Sequence, residues 1–211
     1  LPSDTTGHRL RAEFQMWHEG EDINYVMFRP EDPRTPINIT EFPIAAKLIQ
    51  QTMPLLRDAL LADYTLRRKL FQVEFLASLS GNLLVTLIYH RKLDHAWENA
   101  AHVLADGLRL PIPSISVIGR SHKQKLVLGA DFIQETLTIH GEEYRYRQYE
   151  HGFSQPNGLV NTRMIEWACE QATALQGDLL ELYCGNGNFT LPLSRQFDHV
   201  IATEVSKTSI R

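Results

Sequence analysis

Polar and apolar residues alternate with period two through "RLRAEFQMWHEG" and again through "INYVMFRP", with turn residues from His18 to Asp22 between them. That period places successive side chains on opposite faces of a strand, so the two runs predict an antiparallel hairpin. The period then changes: Ala45, Leu48, Ile49, Thr52, Leu55, Leu56, Ala59 and Leu60 fall on one helical stripe within 41–61. A second hairpin follows, "KLFQVEFLASLS" and "LLVTLIYHRK" joined at Gly81-Asn82. Asp94 is placed to cap a helix running to Leu108, with Trp97, Ala100, Ala101, Leu104 and Leu108 on its apolar face and Pro111 and Pro113 beyond its end. Strand-like runs occupy 114–120, 124–128 and 132–148, the last broken at Gly141.

Strands joined by short turns, with helices covering one face, predict an α+β domain with an antiparallel sheet over 1–150. After "HGFSQPN" helix and strand alternate: helix 158–175, strand 178–184, helix 189–197, strand 198–204. That order predicts the start of an α/β Rossmann-like domain over 151–211. The chain has 211 residues, 43% of them apolar, which suffices for a packed core. Its net charge of -4 argues against a generally basic nucleic-acid binder and confines polyanion affinity to local patches. Three patches qualify: Arg67-Arg68-Lys69, His90-Arg91-Lys92 and "RSHKQK" from Arg120 to Lys125. At least one is expected to contact phosphate. Two cysteines, Cys169 and Cys184, neither in a CxxC, provide no disulfide framework and no cysteine-rich metal site. The expected compartment is reducing and cytoplasmic, and no apolar run approaches the ~20 residues of a membrane span. The chain begins on Leu1 rather than Met, so its first residue is expected to lie inside a longer protein.

"ELYCGNGNF" runs from a strand into a loop carrying Gly185 and Gly187 and on into a helix. Glycines there let backbone approach a ligand, and the helix start offers unpaired N–H groups. Glu204 ends the next strand, 17 residues past Gly187, where its carboxylate can accept both hydroxyls of a ribose. The third glycine of a dinucleotide fingerprint is replaced by Thr190, so a nucleoside fits better than a dinucleotide. The pattern resembles motif I of the S-adenosylmethionine methyltransferases. Cys184, on the apolar end of the strand, reads as a packed, inert thiol. In "KLFQVEFL" the alternating Phe71, Val73 and Phe75 look like the buried face of a strand.

Taken together, "RLRAEFQMWHEG", "EFPIA", "KLFQVEFL", "LIYHRKLD", "IGRSHKQK", "FSQPN" and "LLELYCGNGNF" resemble, in collinear order, the tRNA (uracil-5-)-methyltransferase family. The resemblance implies an RNA-recognition domain, S-adenosyl-L-methionine as cofactor, and 5-methyluridine formation at position 54 in the T-loop of tRNA. It places the cofactor on Gln155, Tyr183, Gly185, Gly187, Asn188 and Glu204. It places RNA on Glu13, Phe71 and His90, with Lys92 of the second basic patch beside them. Phe71 is thereby open to two expectations, core packing or base stacking. Gln15 stands where the family usually has Arg, which removes one charged RNA contact. The family's D-P-P-R segment, its nucleophilic Cys and its general base have no counterpart in 1–211, and the resemblance puts the Cys and the base beyond Arg211. It therefore implies that this chain is part of a longer enzyme, without a catalytic residue or a metal of its own and without methylating activity as it stands. Strands 178–184 and 198–204 are then expected to keep one neighbour each. Two alternatives remain: a ribosomal-RNA uracil-5-methyltransferase, and a non-catalytic RNA-binding module.

Overall fold

A computed structural model describes residues 3–210. Two positions used above lie outside the described residues: Leu1, and Arg211, beyond which the nucleophilic Cys and the general base are expected. Strands β1 (Arg11–Glu19), β2 (Asp22–Arg29) and β3 (Asp32–Asn38) are followed by α1 (Lys47–Ala62) and the short α2 (Tyr64–Arg67). Then come β4 (Leu70–Ala77), β5 (Leu83–Tyr89), α3 (His95–Arg109), β6 (Ile115–Ser121) and β7 (Gln124–Leu128). The seven strands form one sheet in the order β3-β2-β1-β4-β5-β6-β7.

Both expected hairpins are present, with Gln15 opposite Val26 in one and Phe75 opposite Val85 in the other. The sheet is mixed rather than antiparallel throughout. Strands β5 and β6 run parallel, Val85 opposite Val117, because α3 carries the chain back between them, and a parallel pair needs such a crossover. The hydrophobic pattern predicts no strand over "DPRTPIN", yet it forms β3. Pro33 and Pro36 donate no N–H, and β3 lies at the sheet edge, where proline is tolerated. Asp94 caps α3 as expected, accepting from the Trp97 N–H at 2.9 Å.

Alternation along the strands points Phe14, Met16, Val73 and Phe75 inward, against Ile49, Met53, Leu56 and Leu60 of α1 and Trp97, Ala101 and Leu104 of α3. Each such side chain contributes about 1.5–3 kcal/mol on full burial. The opposite face of the sheet is covered only in part. Leu76, Leu84 and Ile118 meet Ile133 of the hairpin formed by β8 (Phe132–Ile139) and β9 (Glu142–Tyr149). Towards β1 and β2 this outer face is open, with Glu13, Gln15 and Trp17 exposed.

The same hairpin also packs Leu137, Ile139 and Tyr146 against Ile165 and Cys169 of α4 (Gly158–Ala172). Beyond α4 come β10 (Asp178–Leu182), α5 (Thr190–Leu193), a 3-10 turn over Ser194–Gln196 and β11 (His199–Thr203). The helix expected over 189–197 is thus one α turn and one 3-10 turn. The Ser194 hydroxyl donates to the Leu191 carbonyl at 2.8 Å, a local bond that competes with helix continuation. Strands β10 and β11 are parallel, Leu180 opposite Ile201, and among the described residues each has only the other as a strand neighbour. Among those residues no helix is long and apolar enough to cross a membrane.

Candidate functional site

The β10–α5 loop turns sharply on three residues of positive φ: Tyr183 at 58°, Gly185 at 61° and Gly187 at 81°. Glycine takes that region freely, whereas Tyr183 occupies it at a cost of about 1–2 kcal/mol. The Gly187 N–H donates to the Cys184 carbonyl at 3.0 Å and closes the turn. Glu204, just past β11, reaches back across it. Its Oε1 accepts from the Ser206 N–H at 2.7 Å and its Oε2 from the Gly185 N–H at 2.8 Å. Those two N–H groups, Ser206 first and Gly185 second, hold its carboxyl below the usual carboxylate range. Each carboxylate oxygen keeps a further lone pair for a ligand.

Beside this loop lies a cleft of about 100 Å³. Four of the six residues expected to hold a cofactor line it: Gln155, Tyr183, Gly185 and Asn188. Gly187 and Glu204 are not among its lining residues, but both brace the loop that borders it, Gly187 through Cys184 and Glu204 through Gly185. Gln148, Ser154 and Asn161, which the sequence reading did not single out, line it as well. Gln148 Oε1 and Ser154 Oγ are buried with no hydrogen-bond partner among the described residues. Asn161 is a buried polar residue on the packed face of α4, and that break in the apolar stripe is the signal that could have found it. Cys184 also lines the cleft, buried, its thiol pushed up by burial and then by the Glu181 and Glu204 carboxylates. Among the described residues no group of three or more His, Cys, Asp or Glu is arranged to hold a metal ion.

The residues expected to meet RNA lie elsewhere, on the first sheet. Glu13 is exposed on the open face of β1. Phe71 sits at a β-bulge: Leu70 pairs with Tyr89 but Gln72 with Ile88. The extra residue turns the strand over, so Leu70, Val73 and Phe75 fill the core while Phe71 leaves it. Its ring stacks on His90, centroids 4.1 Å apart and planes 19° from parallel. Lys92 is exposed. Its neighbour Arg91 is spent internally, donating to the carbonyls of Arg68, Lys92 and Thr65.

Glu150 stands between the two regions. Its side chain is 2% exposed and is met by Arg120 Nε and Nη2 at 2.5 and 2.9 Å, Lys125 Nζ at 3.1 Å and His151 Nε2 at 3.4 Å. Burial pushes its carboxyl up, but the bonds from His151, Arg120 and Lys125 outweigh it and hold the group well below the usual range. The chain that leaves Glu150 towards Gln155 is fastened to β1: Arg11 Nη1 donates to the Gly152 carbonyl at 2.9 Å, and the Leu10 N–H to the Pro156 carbonyl at 2.7 Å. The cleft and the open sheet face are thus joined through residues 150–156.

Comparison with known proteins places this geometry in context. A family model described as tRNA (Uracil-5-)-methyltransferase matches residues 1–211. The chain is 56% identical over 210 residues to the tRNA/tmRNA (uracil-C(5))-methyltransferase of Aromatoleum aromaticum, covering 100% of this chain and 56% of that protein. It is 55% identical over 203 residues to the protein of the same name from Dechloromonas aromatica, covering 96% and 55%. The chain therefore spans about half the length of the curated relatives it matches. Its fold is similar to the crystal structure of Pyrococcus abyssi tRNA (uracil-54, C5)-methyltransferase in complex with S-adenosyl-L-homocysteine, with a TM-score of 0.70 at 15% identity, covering 98% of this chain and 51% of that one.

Proposed function

Because the chain belongs to the tRNA (uracil-5-)-methyltransferase family, we propose that it provides the RNA-docking sheet and one side of the cofactor site of an enzyme that methylates C5 of the uridine at T-loop position 54. Residues 1–150 then form the RNA-recognition domain, and 151–211 the first part of the catalytic domain. The relatives above are named for tRNA and tmRNA, which favours tRNA over the ribosomal alternative.

The observation that carries the proposal is that two residues lining the cleft, Gln148 and Ser154, each hold a buried oxygen with no hydrogen-bond partner among the described residues. Buried polar atoms are nearly always hydrogen-bonded, so a ligand rich in donors and acceptors fits this cleft better than an apolar one. S-adenosyl-L-methionine is such a ligand, and when bound it supplies a methyl group on a positively charged sulfur. Gln155 and Asn188 would hold its polar groups, Glu204 its ribose hydroxyls and Tyr183 a flat face, with Gly185 and Gly187 keeping the loop close.

On the RNA side, the target uridine has to leave the folded loop, which costs a few kcal/mol of unstacking. Phe71 and His90 offset part of this, since a base on an aromatic ring is worth about 1–3 kcal/mol. The family's chemistry needs a thiolate to add to uracil C6, and a thiolate requires an accessible thiol of lowered pKa. Cys169 and Cys184 are both buried with raised thiol pKa values, so the proposal assigns that role to neither and leaves it to a residue beyond Arg211.

The test has two arms. A T-arm hairpin with uridine at position 54 is titrated against a hairpin of scrambled loop, and S-adenosyl-L-homocysteine is titrated while the side-chain amides of Gln148, Asn161 and Asn188 are followed by NMR. The expected result is tighter binding of the native loop and shifts of those amides. Equal binding of both hairpins, with no amide shift at millimolar ligand, overturns the proposal.

A further inference from the structure

The open face of the sheet carries more aromatic surface than one flipped base requires. Phe28 on β2, Trp17 on β1 and Phe71 on β4 occupy three strands consecutive in the sheet, and His90 directly follows β5, the next strand in that order. Gln15 faces Gln72, and continuing that antiparallel register brings Trp17 opposite Leu70, beside the bulged Phe71. Phe14 and Met16 are in the core while Trp17 is 40% exposed, so its ring lies on the open side. It meets Phe28 edge to face, centroids 6.3 Å apart and planes at 68°. The Phe71–His90 pair is instead nearly parallel. Neighbouring strands are about 4.8 Å apart, so the midpoints of the two pairs lie two strand spacings, about 10 Å, from each other, and the row is wide enough for two bases side by side.

The surroundings suit a nucleotide. A shallow cleft of about 300 Å³ adjoins Phe28 and is lined by Glu13, Gln15 and Gln72, whose carboxylate and amides match the edge of a base. Exposed cations stand next to these residues in the chain: Arg29 follows Phe28, Lys69 precedes Leu70, and Lys92 lies two residues past His90. Aromatic rings on an open sheet face form a platform for unpaired nucleic acid, and cations near them add phosphate contacts.

We propose that Trp17 and Phe28 form a second base-stacking station, which holds another unpaired nucleobase of the RNA docked at Phe71 and His90. This rests on the RNA-docking role proposed above. The T-arm hairpin is titrated into wild type, Trp17→Ala, Trp17→Phe and Phe71→Ala at several salt concentrations, and then hairpins with a single abasic loop position are tested. Trp17→Ala is expected to weaken binding about 5- to 100-fold, the stacking of one base, with the salt slope unchanged. Trp17→Phe should recover most of the loss. One abasic position other than the target should bind wild type and Trp17→Ala equally. Unchanged affinity in Trp17→Ala, with loss in Phe71→Ala, overturns the second station and leaves RNA docking intact. If Trp17→Ala spares RNA binding but abolishes self-association of the chain, the patch is a contact between copies and the proposal is wrong. Absence of hairpin binding by wild type removes both readings.

Discussion

Asn161 of α4 and Asn188 of the β10–α5 loop face each other amide to amide, Asn161 Nδ2 donating to Asn188 Oδ1 at 2.9 Å and Asn188 Nδ2 donating to Asn161 Oδ1 at 2.8 Å. The Tyr146 hydroxyl donates to the Asn188 backbone carbonyl at 3.2 Å, so hairpin, helix and loop converge on one residue. Replacing either asparagine by alanine strands the other amide in a partly buried place, at a cost of about 1–3 kcal/mol. The double variant should cost less than the two singles summed, by about 1 kcal/mol of coupling. Urea unfolding of the four proteins measures it; strict additivity would mean that the pair is not coupled.

The Glu150 cluster predicts a pH dependence with two limbs. Glu150 has a folded-state pKa below its ordinary value of 4.5, so its contribution is complete above that pH and fades as pH falls through the folded value. His151 has a folded-state pKa raised above 6.5, chiefly by its hydrogen bond to Glu150, so its contribution is complete below pH 6.5 and fades as pH rises through the raised value. Stability should be highest between these limbs, and Glu150→Gln should flatten both. Arg120→Met should cost about 2–3 kcal/mol near neutrality, less than a fully buried pair, because its side chain is 35% exposed. Denaturant unfolding from pH 3 to 9 reads both effects, and an acid limb unchanged in Glu150→Gln would show that other carboxylates govern it.

Period-two and helical stripes made most of the elements legible, because β1, β2, β4, β5, α1 and α3 each bury one face of a single core. What alternation could not show was a change of phase. Phe71 shares the parity of Val73 and Phe75, and only the bulge at its position takes it out of the core. Strand β3 was hidden for a different reason, since its place is set by pairing at the edge and not by an apolar face. The basic run from Arg120 to Lys125 looked available for phosphate, yet Arg120 is committed to Glu150, 30 residues away in the chain. Pairings at that separation leave no local pattern. In the cleft, the glycine loop was legible and the Asn161 partner of Asn188 was not, since Asn161 gives only an interruption in the stripe of α4.

Trp97 of α3 lies flat over Gly119 of β6. A Cβ built at Gly119 would stand 2.1 Å from Trp97 Cη2, inside any tolerable contact. Trp97 is fully buried and cannot move aside without disturbing the α3–sheet packing. Gly119→Ala should therefore destabilise at the upper end of overpacking, about 3 kcal/mol. The same variant combined with Trp97→Leu should recover part of the loss. A thermal or urea midpoint unchanged in Gly119→Ala would mean that helix and sheet are not this closely apposed.

Tyr183 separates a structural cost from a binding role. Its φ of 58° is one that glycine adopts freely, and the residue is 80% exposed, so the fold gains little packing in return. Tyr183→Gly should therefore leave stability within about 1 kcal/mol of wild type, relief of backbone strain offsetting the greater freedom of glycine in the unfolded chain. Tyr183→Ala keeps the left-handed strain and should be the less stable of the two. If the ring serves as a face for S-adenosyl-L-methionine, both variants should lose affinity for S-adenosyl-L-homocysteine alike, whereas Tyr183→Phe should retain it. Calorimetric titration beside urea unfolding distinguishes the possibilities. Should Tyr183→Gly bind as well as wild type, the strained conformation serves the loop's path alone, and the ring has no part in holding the cofactor.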